Sequence, residues 1–312
     1  MATRLRAGGC TSAPDRARAA TADHARVHLP LYLCAVAMLR ADKIRRPDLL
    51  IRCGTDLLGK HRSKLGSGVW DVREQVFTAA LDLHYFDVAR EQFDALVARF
   101  PTSARVKVLE GMMFEAQACS TQLNEQQAAR EAEKALLVYD DIINEDPFNA
   151  AARKRRVCVQ RASGAPQDVA AAIRLMNEYL DMFPQDHDAW KELADMYLEQ
   201  QQLENAKRAL EEWVMLQPVN FQAHLKLADV LYSLDDMPLA RKYYAQSLEL
   251  NDTSNPRAAL GMVMCTASIN AKGKNKSDAA NSKLYQIARL ILLEQTVAGS
   301  PESSAFKALL NA

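Results

Sequence analysis

The sequence predicts an all-α solenoid, a right-handed superhelix of stacked helix-turn-helix units. Prolines end successive helix-forming runs at Pro101, Pro147, Pro184 and Pro218, and Asp252 stands where a fifth would follow. The intervals between them are 46, 37, 34 and 34 residues, and a period of 34 residues is typical of helix pairs that stack on their neighbours. Gly and Pro number only 11 each, as expected for a helical chain.

The clearest repeat runs from His187 to Pro218. Counted from His187 as position 1, large residues occupy positions 4, 7 and 11, and small residues occupy positions 8 and 20. They are Trp190, Leu193, Tyr197, Ala194 and Ala206. The large residues form one stripe on the first helix, and the small ones let the second helix approach. The spacing resembles the tetratricopeptide pattern, and it predicts that Trp190 and Trp213, at positions 4 and 27, are core residues.

The other repeats follow this frame with surplus residues. Three extra residues near Gly164 to Asp168 predict a lengthened turn between two paired helices, and 12 surplus residues lie at Cys119 to Arg130. The helices predicted on either side of the repeats should cap the solenoid, because its end units need one solvent-tolerant face. The predicted organisation is a disordered leader (1–40), an N-terminal capping helix (41–66), five tetratricopeptide-like repeats (67–252) and C-terminal capping helices (253–312).

Composition disfavours several classes of protein. Lys+Arg and Asp+Glu balance at 39 each, which argues against nucleic-acid binding through a summed positive field. The six cysteines show no C-x-x-C and fit buried thiols in a reducing compartment. The longest apolar run, residues 29–39, is too short to span a bilayer. Residues 1–28 carry five arginines and two aspartates, a bias shared by transit peptides and by plain disordered leaders.

Motifs for chemistry are missing from the sequence. The six histidines form no H-E-x-x-H, and none lies near a cysteine at metal-ligand spacing. Gly66-Ser67-Gly68 lacks the pattern of a nucleophile elbow, and Gly59-Lys60 lacks the rest of a phosphate loop. We therefore expect no catalytic residue, no cofactor, no metal and no enzymatic activity.

The polar candidates lie on the first helices of the repeats. The run Arg153 to Arg156 allows two interpretations: a solvated helix surface paired with the acidic turn at residues 144–146, or a docking point for an acidic partner segment or anionic lipid. Positions 2, 5 and 9 should line a binding groove. The candidate partner-binding residues are Arg105, Arg153, Lys154, Lys191, Asp195, Gln222 and Asp229.

A chaperone-binding role is disfavoured by two of these positions. Repeats that clamp a C-terminal carboxylate use Lys at position 5 and Asn at position 9 of a first helix. The clearest repeat has Lys191 and Asp195 there, and the next has Leu225 and Asp229. Aspartate at position 9 would repel a carboxylate.

Longer strings resemble one family, that of subunit 2 of the endoplasmic reticulum membrane protein complex. They are LGSGVWDVREQVFTAALD (65–82), RVKVLEGMMFEA (105–116), YDDIINEDPFNAAARKRR (139–156), AIRLMNEYLDMF (172–183), DAWKELADMYL (188–198) and ARKYYAQSLELN (240–251). The resemblance covers about Leu65 to Leu260, and residues 1–40 and the surplus at Cys119 to Arg130 depart from it.

This resemblance implies a non-catalytic scaffold at the cytosolic face of the endoplasmic reticulum membrane. Such a subunit would be peripheral and would support the insertion of transmembrane helices. Its partners would be the cytosolic tails of membrane subunits and a soluble subunit of the complex. The alternative is a free cytosolic tetratricopeptide adaptor or co-chaperone.

Overall fold

The structure is a computed structural model that describes residues 45–120, 124–251 and 255–272, with Lys283, Gln286 and Leu290. Across these residues every regular element is a helix and no strand occurs, so the all-α prediction is confirmed. The chain divides into two compact units, Met1–Val159 and Gln160–Ala312. The predictions for residues 1–40 and for the apolar run at 29–39 lie outside the described residues.

The first unit is a set of packed helices. They are α1 (Pro47–Lys60), α2 (Val69–Asp82), α3 (Phe86–Arg99), α4 (Ala104–Ala118), α5 (Glu125–Glu145) and most of α6 (Ala150–Ala162). A helical turn (Arg62–Leu65) and a 3₁₀ turn (Gly66–Gly68) join α1 to α2. α2 packs on α1 and α3, and α4 packs on α5. Their apolar stripes meet in a core that includes Phe77, Leu96 and Leu109.

The second unit is likewise a set of packed helices. Its helices are α7 (Pro166–Met182), α8 (His187–Glu199), α9 (Leu203–Leu216), α10 (Phe221–Ser233), α11 (Met237–Leu250) and α12 (Pro256–Lys272). Each helix packs on the next one along the chain. Several large apolar residues of these repeats are buried, among them Leu193, Leu210, Leu227 and Leu231.

Tight turns within the pairs use left-handed backbone at residues that are not glycine. The positive φ angles are 56° at His84, 56° at Gln201 and 64° at Asp235. Each residue follows the first helix of a pair, where a left-handed residue ends a helix and turns the chain back. Glycine usually occupies such positions, so the sequence did not reveal them.

The surplus residues lengthen helices, and the predicted longer turn near Gly164 is wrong. The turn between α6 and α7 spans residues 163–165, as short as the turn at 200–202 between α8 and α9. Instead α7 has 17 residues where α9 has 14, since Pro166 can begin a helix but not sit inside one. α5 likewise begins within the surplus at Glu125, behind a capping box of Asn124 and Gln127, and has 21 residues.

The two template tryptophans have different environments. Trp213 is 2% exposed, so it is a core residue as predicted. Trp190 is only partly buried, and the prediction that it is a core residue is wrong. Its indole Nε1 donates a hydrogen bond of 2.9 Å to the carbonyl oxygen of Pro184, which holds the ring beside the preceding turn. The division into five repeats with caps at 41–66 and 253–312 stays a prediction.

Candidate partner-binding surface

All seven predicted site residues lie on the first helices of the pairs, which we call the A helices: α2, α4, α6, α8, α10 and α12. Their partners α3, α5, α7, α9 and α11 are the B helices. Within each compact unit, the A helices are joined to one another by ion pairs between side chains.

In the first unit two such pairs occur. Arg105 on α4 holds Glu74 on α2 through both carboxylate oxygens, with Nη2–Oε2 at 2.8 Å and Nε–Oε1 at 3.0 Å. Arg155 on α6 holds Glu115 on α4, with Nη1–Oε2 at 2.6 Å. A guanidinium group that contacts both oxygens of a carboxylate fixes direction as well as distance, so the Arg105–Glu74 pair fixes the orientation of its two charged groups.

In the second unit the pairs continue along the A helices. Lys226 Nζ on α10 lies 2.6 Å from Asp195 Oδ1 on α8. Arg257 Nη2 on α12 lies 2.7 Å from Asp229 Oδ2 on α10. Arg161, at the end of α6, binds Glu199 and reaches Glu192 at 3.5 Å. Asp195 and Asp229, both predicted site residues, are therefore neutralised by the next A helix.

Two of these carboxylates also accept a hydrogen bond from a buried tyrosine on a B helix. Tyr139 donates its hydroxyl to Glu115 Oε1 at 2.7 Å, and Tyr244 donates to Asp229 Oδ1 at 2.7 Å. Burial raises the pKa of both tyrosines, and the adjacent carboxylate raises each pKa further. The hydroxyls thus stay protonated and serve as hydrogen-bond donors. We call the two sets Glu115–Tyr139–Arg155 and Asp229–Tyr244–Arg257 the tyrosine networks.

The remaining predicted residues are Arg153, Lys154, Lys191 and Gln222. Arg153 Nε donates to the carbonyl oxygen of Pro147 at 2.6 Å. Lys154 is half-buried. Lys191 Nζ lies 5.7 Å from the ring centroid of Trp213, a cation–π contact. Gln222 is exposed at the start of α10.

The basic run on α6 pairs with different carboxylates from those predicted. Arg155 contacts Glu115, and Arg156 Nε lies 2.7 Å from Asp140 Oδ1. Neither of these acids belongs to the turn at residues 144–146, so the expected pairing of these two arginines with that turn is wrong. The partners differ because both side chains extend from α6 across to α4 and α5 rather than back to the preceding turn.

The seven predicted residues are divided between the two compact units. Arg105, Arg153 and Lys154 belong to the first unit, and the remaining four belong to the second. Sequence reasoning missed the partners Glu74, Glu115, Arg155, Lys226 and Arg257. One signal was available in the sequence. Residues of opposite charge stand 31 residues apart in the pairs 74/105, 161/192 and 195/226. This separation equals one 34-residue repeat minus about one helical turn, so it places the two residues of a pair at the same level on neighbouring A helices.

Over the part of the chain that the structure describes, no group of three His, Cys, Asp or Glu side chains could hold a metal ion. No described helix combines the length and the apolar character that crossing a membrane requires.

Comparison with known proteins gives the same repeat type and one family. The EMC2 TPR-like repeat domain matches residues 97–250. The chain is 37% identical over 249 residues to ER membrane protein complex subunit 2-B of Xenopus laevis, covering 78% of each chain. It is 31% identical over 198 residues to TPR repeat protein oca3 of Schizosaccharomyces pombe, covering 62% of this chain and 64% of that one.

Solved structures of other repeat proteins share the fold. A thermophilic TPR protein of Thermus thermophilus superposes with a TM-score of 0.50 at 19% identity, covering 65% of this chain and 98% of that one. The C-terminal part of a TPR repeat-containing protein from Cytophaga hutchinsonii gives 0.53 at 13% identity, covering 88% and 94%. At these identities the likeness establishes the tetratricopeptide fold alone.

Proposed function

This chain belongs to the family of ER membrane protein complex subunit 2, and on that premise we propose that it is a non-catalytic scaffold subunit of that complex. It lies peripherally on the cytosolic face of the endoplasmic reticulum membrane. There it supports the insertion of transmembrane helices by binding the cytosolic parts of membrane subunits and a soluble subunit. The observation that carries the proposal is the 37% identity over 249 residues, which extends through most of the chain.

The A helices supply the binding surface in this proposal. Their charged groups are already tied to each other by the ion pairs at Glu74, Glu115, Asp195 and Asp229. A partner then meets a fixed pattern of charge instead of free side chains, and less conformational entropy is lost on binding. Polar groups arranged in this way contribute specificity more than affinity.

The seven predicted residues remain the proposed contacts. Arg105 and Gln222 are the most accessible examples: the Arg105 side chain is 64% exposed, and Gln222 lies exposed at the start of α10. The alternative, a free adaptor or co-chaperone, has no supporting observation. A clamp for a terminal carboxylate needs cations that are available to it, and Lys226 is already paired with Asp195.

Affinity purification of the tagged chain from detergent extracts of membranes tests the proposal. We expect several membrane-spanning proteins to be recovered with it. Recovery of soluble chaperones alone, or of no membrane-spanning protein, contradicts the scaffold role.

Two matched variants test whether the A helices form the surface. Gln222→Arg adds a charge at an exposed position of α10, and Glu212→Arg alters charge at an exposed position of the B helix α9. We expect Gln222→Arg to lower the recovery of partners and Glu212→Arg to leave it unchanged. The reverse order would assign partner binding to the B helices.

A further inference from the structure

Helix α5 has a solvent-facing stripe on which one leucine lies among acidic residues. Glu133, Leu137, Asp141 and Glu145 follow one another at a spacing of four residues, so they share one face of the helix. All four are exposed, and Leu137 is 60% exposed. We call these four residues the acidic face. The opposite side of α5 packs on α4, so the fold of the first unit leaves most of the Leu137 side chain in contact with water.

The charge of the acidic face is only partly neutralised within the first unit. Lys107 Nζ on α4 contacts both carboxylate oxygens of Glu145, at 2.5 and 2.6 Å. Glu133 and Asp141 make no ion pair within the described part of the chain. The whole of α5 carries six acidic residues and two basic ones. Uncompensated negative charge therefore flanks the exposed leucine.

A cleft between α4 and α5 adjoins the acidic face and has the same character. Its volume is about 430 Å³, and its lining consists of Lys107, Glu110, Val138, Asp141, Asn144 and Glu145. Asp141 and Glu145 thus belong to both the face and the cleft. Glu110 adds a carboxylate from α4 that makes no ion pair among the described residues. Since Lys107 is already bound to Glu145, a cation that enters the cleft meets carboxylates on both helices.

We propose that the acidic face binds a basic amphipathic segment of another polypeptide. An apolar side chain of this segment covers Leu137, and lysine or arginine side chains on either side of it contact Glu133 and Asp141. The residues of the face are about 6 Å apart along α5. A helix that carries apolar and basic residues at the same four-residue spacing matches them.

The sign of the charge and the exposed leucine together select this occupant. Carboxylates repel the phosphates of nucleic acids and of anionic lipid surfaces, so neither of these fits the face. A small cation would neutralise the acids but would leave Leu137 in water, and removing apolar surface from water requires an apolar partner. A polypeptide supplies both kinds of side chain. The site goes beyond the scaffold role and does not depend on it, because α5 is a B helix and the proposed scaffold surface lies on the A helices.

The test uses the purified full-length chain and a fluorescent helix-forming peptide of lysine, leucine and alanine whose leucines lie on one face. Two control peptides carry glutamate in place of lysine, or alanine in place of leucine. We expect the basic amphipathic peptide to bind, measured by fluorescence anisotropy, and to bind less tightly as salt is added. The glutamate peptide should not bind, and the peptide without leucine should bind more weakly.

Variants of the acidic face locate the binding. Asp141→Lys should weaken binding by about tenfold or more, because it sets like charges opposite each other. Leu137→Ala should weaken it by about threefold or more, since less apolar surface is covered. Both positions are exposed, so we expect the melting temperatures to stay close to that of the wild type. Glu212→Lys, an exposed change on the B helix α9, is the matched control and should leave binding unchanged.

Residues 1–28 of this chain carry five arginines and are the alternative occupant. We expect a full-length variant with these five arginines replaced by serine to bind the basic peptide as the wild type does. A clear gain in affinity would assign the acidic face to the chain's own basic segment and would overturn the proposal. Equal binding of all three peptides, or wild-type affinity in Asp141→Lys, would also overturn it. Because no other subunit is present in these measurements, each of these outcomes leaves the scaffold role untouched.

Discussion

The two tyrosine networks use the same residue types but pack the tyrosine ring against different helices. In the first unit the Tyr139 ring lies against Gly111 on α4, the A helix of its own pair. In the second unit the Tyr244 ring lies against Gly261 on α12, the A helix that follows its pair. In both cases a Cβ added to the glycine would lie 2.4 Å from the tyrosine Cζ. The helix that the tyrosine ring approaches is therefore determined by where a glycine leaves room for it, more than by the position of the tyrosine in its repeat.

The networks also differ in how well they are shielded from water. The Arg155 side chain is 37% exposed and that of Arg257 is 71% exposed. Screening by solvent weakens an ion pair, so the first network should contribute more through its charges. Both rings are buried, so the apolar contribution should be similar in the two units.

Removal of the rings should have the largest effect. Tyr139→Ala and Tyr244→Ala should each cost roughly 3 to 5 kcal/mol, as for other large buried side chains. Urea unfolding measures the cost, and hydrogen exchange locates it. Protection should fall in α4 and α5 for the first variant, and in α10 to α12 for the second. If α12 kept its protection in Tyr244→Ala, the contrast between the units would be wrong. Tyr85→Ala, at an exposed site, is the control.

Filling the glycine spaces should have the next largest effect. Gly111→Ala and Gly261→Ala should each cost about 1 to 3 kcal/mol, because the new methyl group overlaps a buried ring. Gly59→Ala is a matched control, since nothing lies within 4 Å of its added Cβ in α1. That change should stabilise the chain by up to about 1 kcal/mol through helix propensity. Equal thermal stabilities of all three variants would contradict the close approach.

The tyrosine hydroxyls should make stability fall at alkaline pH. The folded pKa values of Tyr139 and Tyr244 are raised, so the folded chain keeps protons that the unfolded chain loses above about pH 10. This stabilisation is complete below the unfolded pKa and is lost as pH rises above it. Tyr139→Phe and Tyr244→Phe should each cost about 1 to 2 kcal/mol at neutral pH and reduce the alkaline loss. The same loss in both variants and in Tyr85→Phe would exclude these hydroxyls as its source.

Removal of the arginines should have the smallest effect. Arg257→Ala should cost between about 0 and 1 kcal/mol, since its pair is solvent-exposed. Arg155→Ala should cost more, because its pair is better shielded. Urea unfolding at low and high salt measures both costs, and the Arg257 effect should shrink more in salt. Equal costs with equal salt dependence would remove the electrostatic difference between the networks.

The sequence predicts the helix pairs better than the contacts between them. Spacing places large and small residues correctly, as Leu193 and Ala194 show, because helical periodicity is local. It does not show that Asp229 reaches Arg257 or that Tyr244 approaches Gly261, since these contacts depend on how neighbouring helices pack and how far side chains extend. Three of the predicted site residues, Arg105, Asp195 and Asp229, proved to be halves of ion pairs whose partners the template does not mark.

The central claim is that the A helices hold the cytosolic parts of membrane proteins. Crosslinking with an amine-reactive reagent, followed by mass spectrometry of the chain purified from membranes, tests it most directly. The A helices α8 and α10 carry Lys191 and Lys226, and the B helices α9 and α11 carry Lys207 and Lys242. We predict crosslinks from Lys191 and Lys226 to membrane-spanning partners. Crosslinks to such partners from Lys207 and Lys242 alone, or none from any of the four, would contradict the claim.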